Sequence, residues 1–370
     1  MHAPSFPAGA EDSGAAAVRI GVLAPLSRPG WTEAGRHLLA GFERGVRDVN
    51  DAGGVAGRPL EPVVRDTAAD PSRAAAAVDE FARLGVAAVA GEYHSVVARA
   101  AATRADALGL PFLCSSAVLD AVAERPTEWV ARLSPPQSHG WRVYADHLLV
   151  AGHRRVAVAA DPGAYWDAGI RLLRDRLAPR GGTVTAFDAR ALSPTALCDG
   201  LAADGATALL LLTGFPEPAV PVVAAVRRDP RLSEVLIGAP AGQPEFAEWE
   251  ALLGGDGASV PFLRYLPERL TPLGARVAAD LRARLGGAPS FVAFEGYDTA
   301  LVLAGVLRSH GPDRVRAAPA WSRVAVGGTR GEIRFSRVPG IGVWQSSWTA
   351  TQVVDRDPAD PGRFRVLRSG

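Results

Sequence analysis

The chain has 370 residues, 48% of them hydrophobic and 21% charged, with a net charge of +1. That length supports two domains of roughly 100–200 residues each, and the balanced charge leaves no overall field to draw in nucleic acid or an anionic membrane surface. All 40 basic residues are arginine, which excludes a P-loop lysine at a nucleotide's phosphates and Schiff-base chemistry on a lysine amine.

The opening residues, MHAPSFPAGAEDSGAAA, carry no basic n-region and no apolar h-region. Residues 1–17 are expected to be a disordered tail. As written, the chain reads as cytoplasmic, and as extracytoplasmic if a leader is missing from it. No stretch reaches the roughly 18 apolar residues of a membrane span, so no direct membrane insertion is expected.

From Val18 onward, short β-rich runs alternate with helical segments. In the first half the strand candidates are VRIGVLA (18–24), LEPVVR (60–65), GVAAVA (85–90), LPFLCS (110–115) and WVARLS (129–134). Between them, Leu38, Phe42, Val46 and Val49 recur at helical spacing, as do Ala74, Val78, Phe81 and Leu84. The second half repeats the plan with RRVAVAA (154–160), GTVTAFD (182–188), ATALLLL (206–212), EVLIGA (234–239) and ASVPFLR (258–264). Near-continuous apolar strands alternating with helices predict an α/β fold of parallel sheets covered on both faces.

After Arg264 the alternation stops. Helical stretches over roughly 270–285 and 291–309 precede a glycine turn into a strand, GGTRGEIRFSRV, and a second strand, VWQSSWTATQVVD. This tail is expected to complete two similar lobes. The first would hold residues 18–133 plus about 265–325, and the second 134–264 plus about 326–370. Hinge crossings are expected near residues 134 and 264.

Ligands of open α/β sheets sit outside the carboxyl ends of the strands, so loops following strands carry the candidates. GEYHS (91–95) is one. Ser95 either caps the next helix or, with that helix's free N–H groups, grips a carboxylate or amide oxygen. Tyr93 would be a wall beside it. In CSSAVLD (114–120), Ser115 and Ser116 either form a turn or donate to the same group. DPGAYWDAG (161–169) places Tyr165 at a helix start, and TGFPEPA (213–219) presents Phe215 and Glu217.

Glu92 and His94 have no second histidine or carboxylate at ligand spacing, and Cys114 and Cys198 lie far apart without a CxxC spacing. No metal and no cofactor is expected. There is no GxSxG elbow. An enzyme would have to use Glu92, His94 and Ser95, and binding is preferred to catalysis. Nothing in the sequence supports a nucleic-acid partner.

Several segments together resemble type I periplasmic solute-binding proteins of the branched-chain amino acid and amide group. They are IGVLAPLS (20–27), Gly35 and Gly41, NDAGGVAGRPLEPVVRDTAADPSRA (50–74), VAAVAGEYHSVVARAA (86–101), GLPFLCSSA (109–117), RLSPPQSHGW (132–141), GHRRVAVAADPGAYWDAG (152–169) and FEGYDTALVLAGVL (294–307). The resemblance implies two hinged lobes that close on a small ligand. The partner implied is an ABC permease or, for a cytosolic ligand sensor, a regulatory protein. It also implies ligand contacts from Tyr93, Ser95, Ser116, Tyr165 and Phe215, with Trp31 as the aromatic of the first loop.

Two positions depart from the leucine-binding pattern: Val118 stands where a threonine helps hold an α-carboxylate, and Pro240 where an acid takes the α-ammonium. Glu217 or Glu245 could substitute for that acid. A neutral amide, a carboxylate or an aromatic ligand fits these residues better than a standard branched-chain amino acid.

Overall fold

The computed structural model describes residues 16–311, 318–347 and 350–370. The tail expected over residues 1–17 therefore falls almost wholly outside the described residues. The first lobe begins with β1 (Val18–Ala24), α1 (Thr32–Asp51), β2 (Leu60–Asp66), α2 (Pro71–Arg83), β3 (Ala88–Gly91), α3 (Ser95–Ala107), β4 (Phe112–Cys114) and β5 (Val130–Arg132). The chain then crosses to the second lobe. There it forms α4 (Gln137–Val150), β6 (Arg155–Ala160), α5 (Ala164–Leu177), β7 (Thr183–Asp188), α6 (Pro194–Asp204), β8 (Ala208–Leu212), α7 (Ala219–Arg228), β9 (Leu236–Gly238), α8 (Ala247–Leu253) and β10 (Phe262–Arg264). It returns through α9 (Pro272–Leu285), α10 (Phe291–His310), β11 (Ala325–Gly327), β12 (Glu332–Ser336) and β13 (Trp344–Ser346), then forms β14 (Gln352–Asp357) and β15 (Asp360–Ser369).

Each lobe is a sheet covered by helices. The first has the strand order β11-β12-β13-β5-β4-β3-β1-β2, parallel from β13 to β2, with β11 and β12 antiparallel at one edge. The second has the parallel order β7-β6-β8-β9. A parallel bridge from Ala239 to Phe262 continues it into the antiparallel ribbon β10-β14-β15. The central strands are buried on both faces, which is why their sequences read as apolar runs instead of alternating ones.

The expected face of α1 is the buried one: Leu38, Phe42, Val46 and Val49 all face the core. They pack against α10, and glycine permits the approach. A Cβ on Gly41 would lie 1.8 Å from the carbonyl oxygen of Ala293, and one on Gly296 would lie 2.1 Å from that of Leu38. Neither position has room for a side chain.

The expected lobe boundary near residue 326 differs from the observed one. β12 pairs with β13, and β13 pairs in parallel with β5, so residues 325–346 extend the first sheet. The segment expected to be a single strand, VWQSSWTATQVVD, instead splits into β13 and β14, which belong to different lobes. Gln345 fixes the split. Its side chain accepts from Arg132 Nε at 2.8 Å and donates to the Ser134 carbonyl at 2.9 Å, inside the first lobe. Among the described residues, the chain therefore changes lobe between β5 and α4, between β10 and α9, and again between β13 and β14, one more than the two hinge positions expected.

Candidate functional site

A cavity of about 880 Å3 lies between the lobes, at the carboxyl ends of the parallel strands. Its walls come from the segments after β2, β3, β4, β6, β7, β8 and β9, with Trp31 from the loop before α1, Tyr265 from the second crossing and Phe291 from α10. Of the residues expected to bind ligand, Trp31, Tyr93, Ser95, Ser116, Tyr165, Phe215 and Glu217 all line it. Ser115 does not. It is fully buried behind Ser116, with its carbonyl accepting from Ser134 Oγ at 2.5 Å.

The GEYHS loop is organised from beneath by Glu92. This carboxyl is wholly buried, with Oε1 accepting from the backbone N–H groups of Tyr93 at 2.9 Å and His94 at 3.0 Å. Its Oε2 accepts from Thr67 Oγ1 at 2.9 Å. Burial pushes its pKa up to about 7, against the pull of those donors. Glu92 thus acts as an internal brace, and it does not line the cavity.

Ser95 is the first residue of α3 and not its cap. The cap position belongs to His94, whose side chain caps nothing. The first-turn N–H groups of a 13-residue helix are therefore left uncapped by any side chain beside the cavity, where an anionic or carbonyl oxygen is favoured. Ser95 Oγ accepts from the Leu119 N–H at 3.2 Å, which leaves its own hydroxyl proton to donate.

Aromatic rings supply much of the apolar wall. Trp31 stacks at a tilt against Tyr93 (5.5 Å between centroids) and meets Phe215 of the opposite lobe edge-on at 6.2 Å. Tyr165 packs edge-on against Trp166 at 4.8 Å. Tyr265 and Phe291, which complete the wall, were not singled out in the sequence. Tyr265 directly follows β10, so the strand-end rule could have found it, whereas Phe291 opens α10, where no strand end points to it.

The charged groups are mostly committed. Asp161 accepts from Arg190 at 3.0 Å and from the Gly214 N–H at 2.8 Å. Arg28 pairs with Glu248 at 2.8 Å. Glu245 lies outside the cavity, paired with Arg264 at 2.9 Å and accepting from the Phe291 N–H at 3.1 Å. Pro240 and Val118 occupy the wall at the two departures noted in the sequence. Glu217 is exposed on the wall. Among the described residues, no group of three or more histidine, cysteine, aspartate or glutamate side chains is placed to hold a metal ion. His94 Nε2 accepts from the Trp31 backbone N–H at 3.1 Å.

Comparison with known proteins places this geometry among relatives. The family model described as "Periplasmic binding protein" matches residues 17–356. The Leu/Ile/Val-binding protein of Escherichia coli K12 is 25% identical over 172 residues, 46% of this chain. That match spans about half of the relative, 47% of its length. A leucine-binding protein of Thermotoga maritima has the same fold, with a TM-score of 0.79 at 20% identity over 95% of this chain and 98% of its own. A solute-binding protein of an R. palustris ABC transporter, solved with benzoate, has a TM-score of 0.79 at 17% identity over 95% of this chain and 96% of its own. With two α/β lobes around a ligand-sized cavity and a family match over most of its length, this chain belongs to the periplasmic binding protein family, a family of non-enzymatic solute-binding proteins.

Proposed function

We propose that the chain is the substrate-binding component of an ABC transporter and works outside the cytoplasm. Its cavity would hold an amine-free ligand with an aromatic-sized apolar body and a carboxylate or amide end. Solved relatives of the same fold carry leucine or isoleucine in some cases and benzoate or 4-hydroxybenzoate in others. The fold therefore leaves the ligand open, and the lining has to decide.

One observation carries the choice: among the described residues, the buried acid that lines the cavity, Asp161, already has a cation beside it, with Arg190 Nε 3.0 Å from its Oδ1. Asp161 is held by Arg190 and Gly214, and Glu245 by Arg264. An α-ammonium enclosed without a partner would cost several kcal/mol. A carboxylate or amide oxygen, by contrast, meets Ser95 and the uncapped start of α3.

A thermal-shift series with benzoate, 4-hydroxybenzoate, benzamide and leucine tests this. A ligand at 100 times its Kd adds about 2.7 kcal/mol to stability. The aromatic ligands should raise Tm and leucine should not. Ser95→Ala should weaken the binding about tenfold, for the lost charge-assisted hydrogen bond, and Glu217→Gln should leave it unchanged. A shift with leucine alone that disappears in Glu217→Gln would mean that the exposed acid serves an amine.

A further inference from the structure

His94 is set into the cavity wall between Tyr93 and Ser95, and its surroundings fix which ring nitrogen carries the proton. The backbone N–H of Trp31 donates to Nε2 at 3.1 Å. A neutral imidazole nitrogen that accepts is unprotonated, so the ring proton is on Nδ1. Burial drives the pKa of His94 down to about 4, which keeps a second proton off the ring at neutral pH. Nδ1 itself has no partner among the described residues. It is also absent from the side-chain atoms that are both enclosed and unpaired, while the residue lines the cavity.

The serine and tyrosine hydroxyls sharing this wall can rotate to donate or to accept. His94 has no such choice, because the Trp31 bond removes its acceptor. We propose that His94 is a ligand-binding residue whose tautomer-locked Nδ1–H donates to an acceptor oxygen of the bound molecule, a carboxylate or an amide carbonyl. The inference rests on the inter-lobe cavity being the binding site. It also links polar and apolar recognition: the residue whose N–H sets the tautomer, Trp31, packs its ring against Phe215 and Phe246 of the second lobe, at 6.2 and 5.9 Å.

Two isosteres separate the ring's two nitrogens. An asparagine amide falls near the position of Nδ1, and a glutamine amide near that of Nε2. His94→Gln should keep the bond to Trp31 and lose the donor, whereas His94→Asn should keep the donor. Calorimetric titration with benzoate and 4-hydroxybenzoate should show about a tenfold loss in His94→Gln and a change within about threefold in His94→Asn, with Tm recorded for both. Nitrogen-15 imidazole spectra of the ligand-free wild type, with His94 assigned by its disappearance in His94→Asn, should show the Nδ1–H tautomer. An Nε2–H tautomer, or wild-type affinity in His94→Gln, overturns the proposal. If neither benzoate binds the wild type, the proposed ligand class fails separately, and the imidazole spectrum decides the histidine assignment on its own.

Discussion

Glu92 is enclosed beneath the loop that carries Tyr93, His94 and Ser95, and it holds two of that loop's backbone N–H groups. Because burial raises its pKa from 4.5 to about 7, the folded chain binds this proton more tightly than the unfolded chain does. Its contribution to stability is therefore best at low pH and falls as pH rises between those two values. Glu92→Gln removes the titration while keeping acceptor and donor atoms in place. Relative to wild type, the variant should gain Tm between pH 5 and pH 8, measured by thermal denaturation in matched buffers. A difference that is flat with pH, or that runs the other way, would show that the carboxyl is ionised throughout. The spelling of the loop marked Tyr93 and Ser95 as candidates, and both line the cavity. The supporting role of Glu92 was not readable, because it depends on Thr67, which lies 25 residues earlier in the chain.

At the scale of elements, α10 is a wall of the first lobe with an ionic face inside it. Glu295 and Asp298 are fully buried, and Arg330, from the turn between β11 and β12, reaches Glu295 at 3.1 Å and Asp298 at 3.2 Å. Arg330 also donates to the Tyr265 carbonyl at 3.3 Å, and Ser134 Oγ, whose proton goes to the Ser115 carbonyl, lies 3.2 Å from Glu295 Oε1. One cation thus ties α10 to residues at two of the inter-lobe crossings. Removing it strands two buried carboxylates, so Arg330→Leu should cost about 3–5 kcal/mol in urea denaturation. A cost below about 0.5 kcal/mol, as for an ordinary surface site, would contradict this role. The helix itself was legible from its apolar run and helical length. Its pairing with GGTRGE was not, since a contact between distant segments leaves no local periodicity.

For the whole molecule, the parallel core was legible because a strand buried on both faces is apolar throughout, as in VAVAA and ALLLL. The course of the last segments was not. Alternation along VWQSSWTATQVVD marks extended chain, but nothing in it says which sheet each half joins, and β13 and β14 join different ones. That split supplies the third crossing between the lobes. Across the cleft, Glu33 of α1 accepts from the N–H groups of Ala247 at 3.0 Å and Glu248 at 3.2 Å, while Arg28 pairs with Glu248. These contacts bring the second lobe against Trp31 and enclose the aromatic cavity between them.

The cavity is expected to select an amine-free carboxylate or amide with an aromatic body. Isothermal titration of the wild-type protein with benzoate and with leucine, under one set of conditions, tests it most directly. Benzoate should bind saturably and one-to-one, and leucine should not bind. Tight binding of leucine with no response to benzoate would contradict it, and would mean that Asp161 or the exposed Glu217 serves an ammonium group.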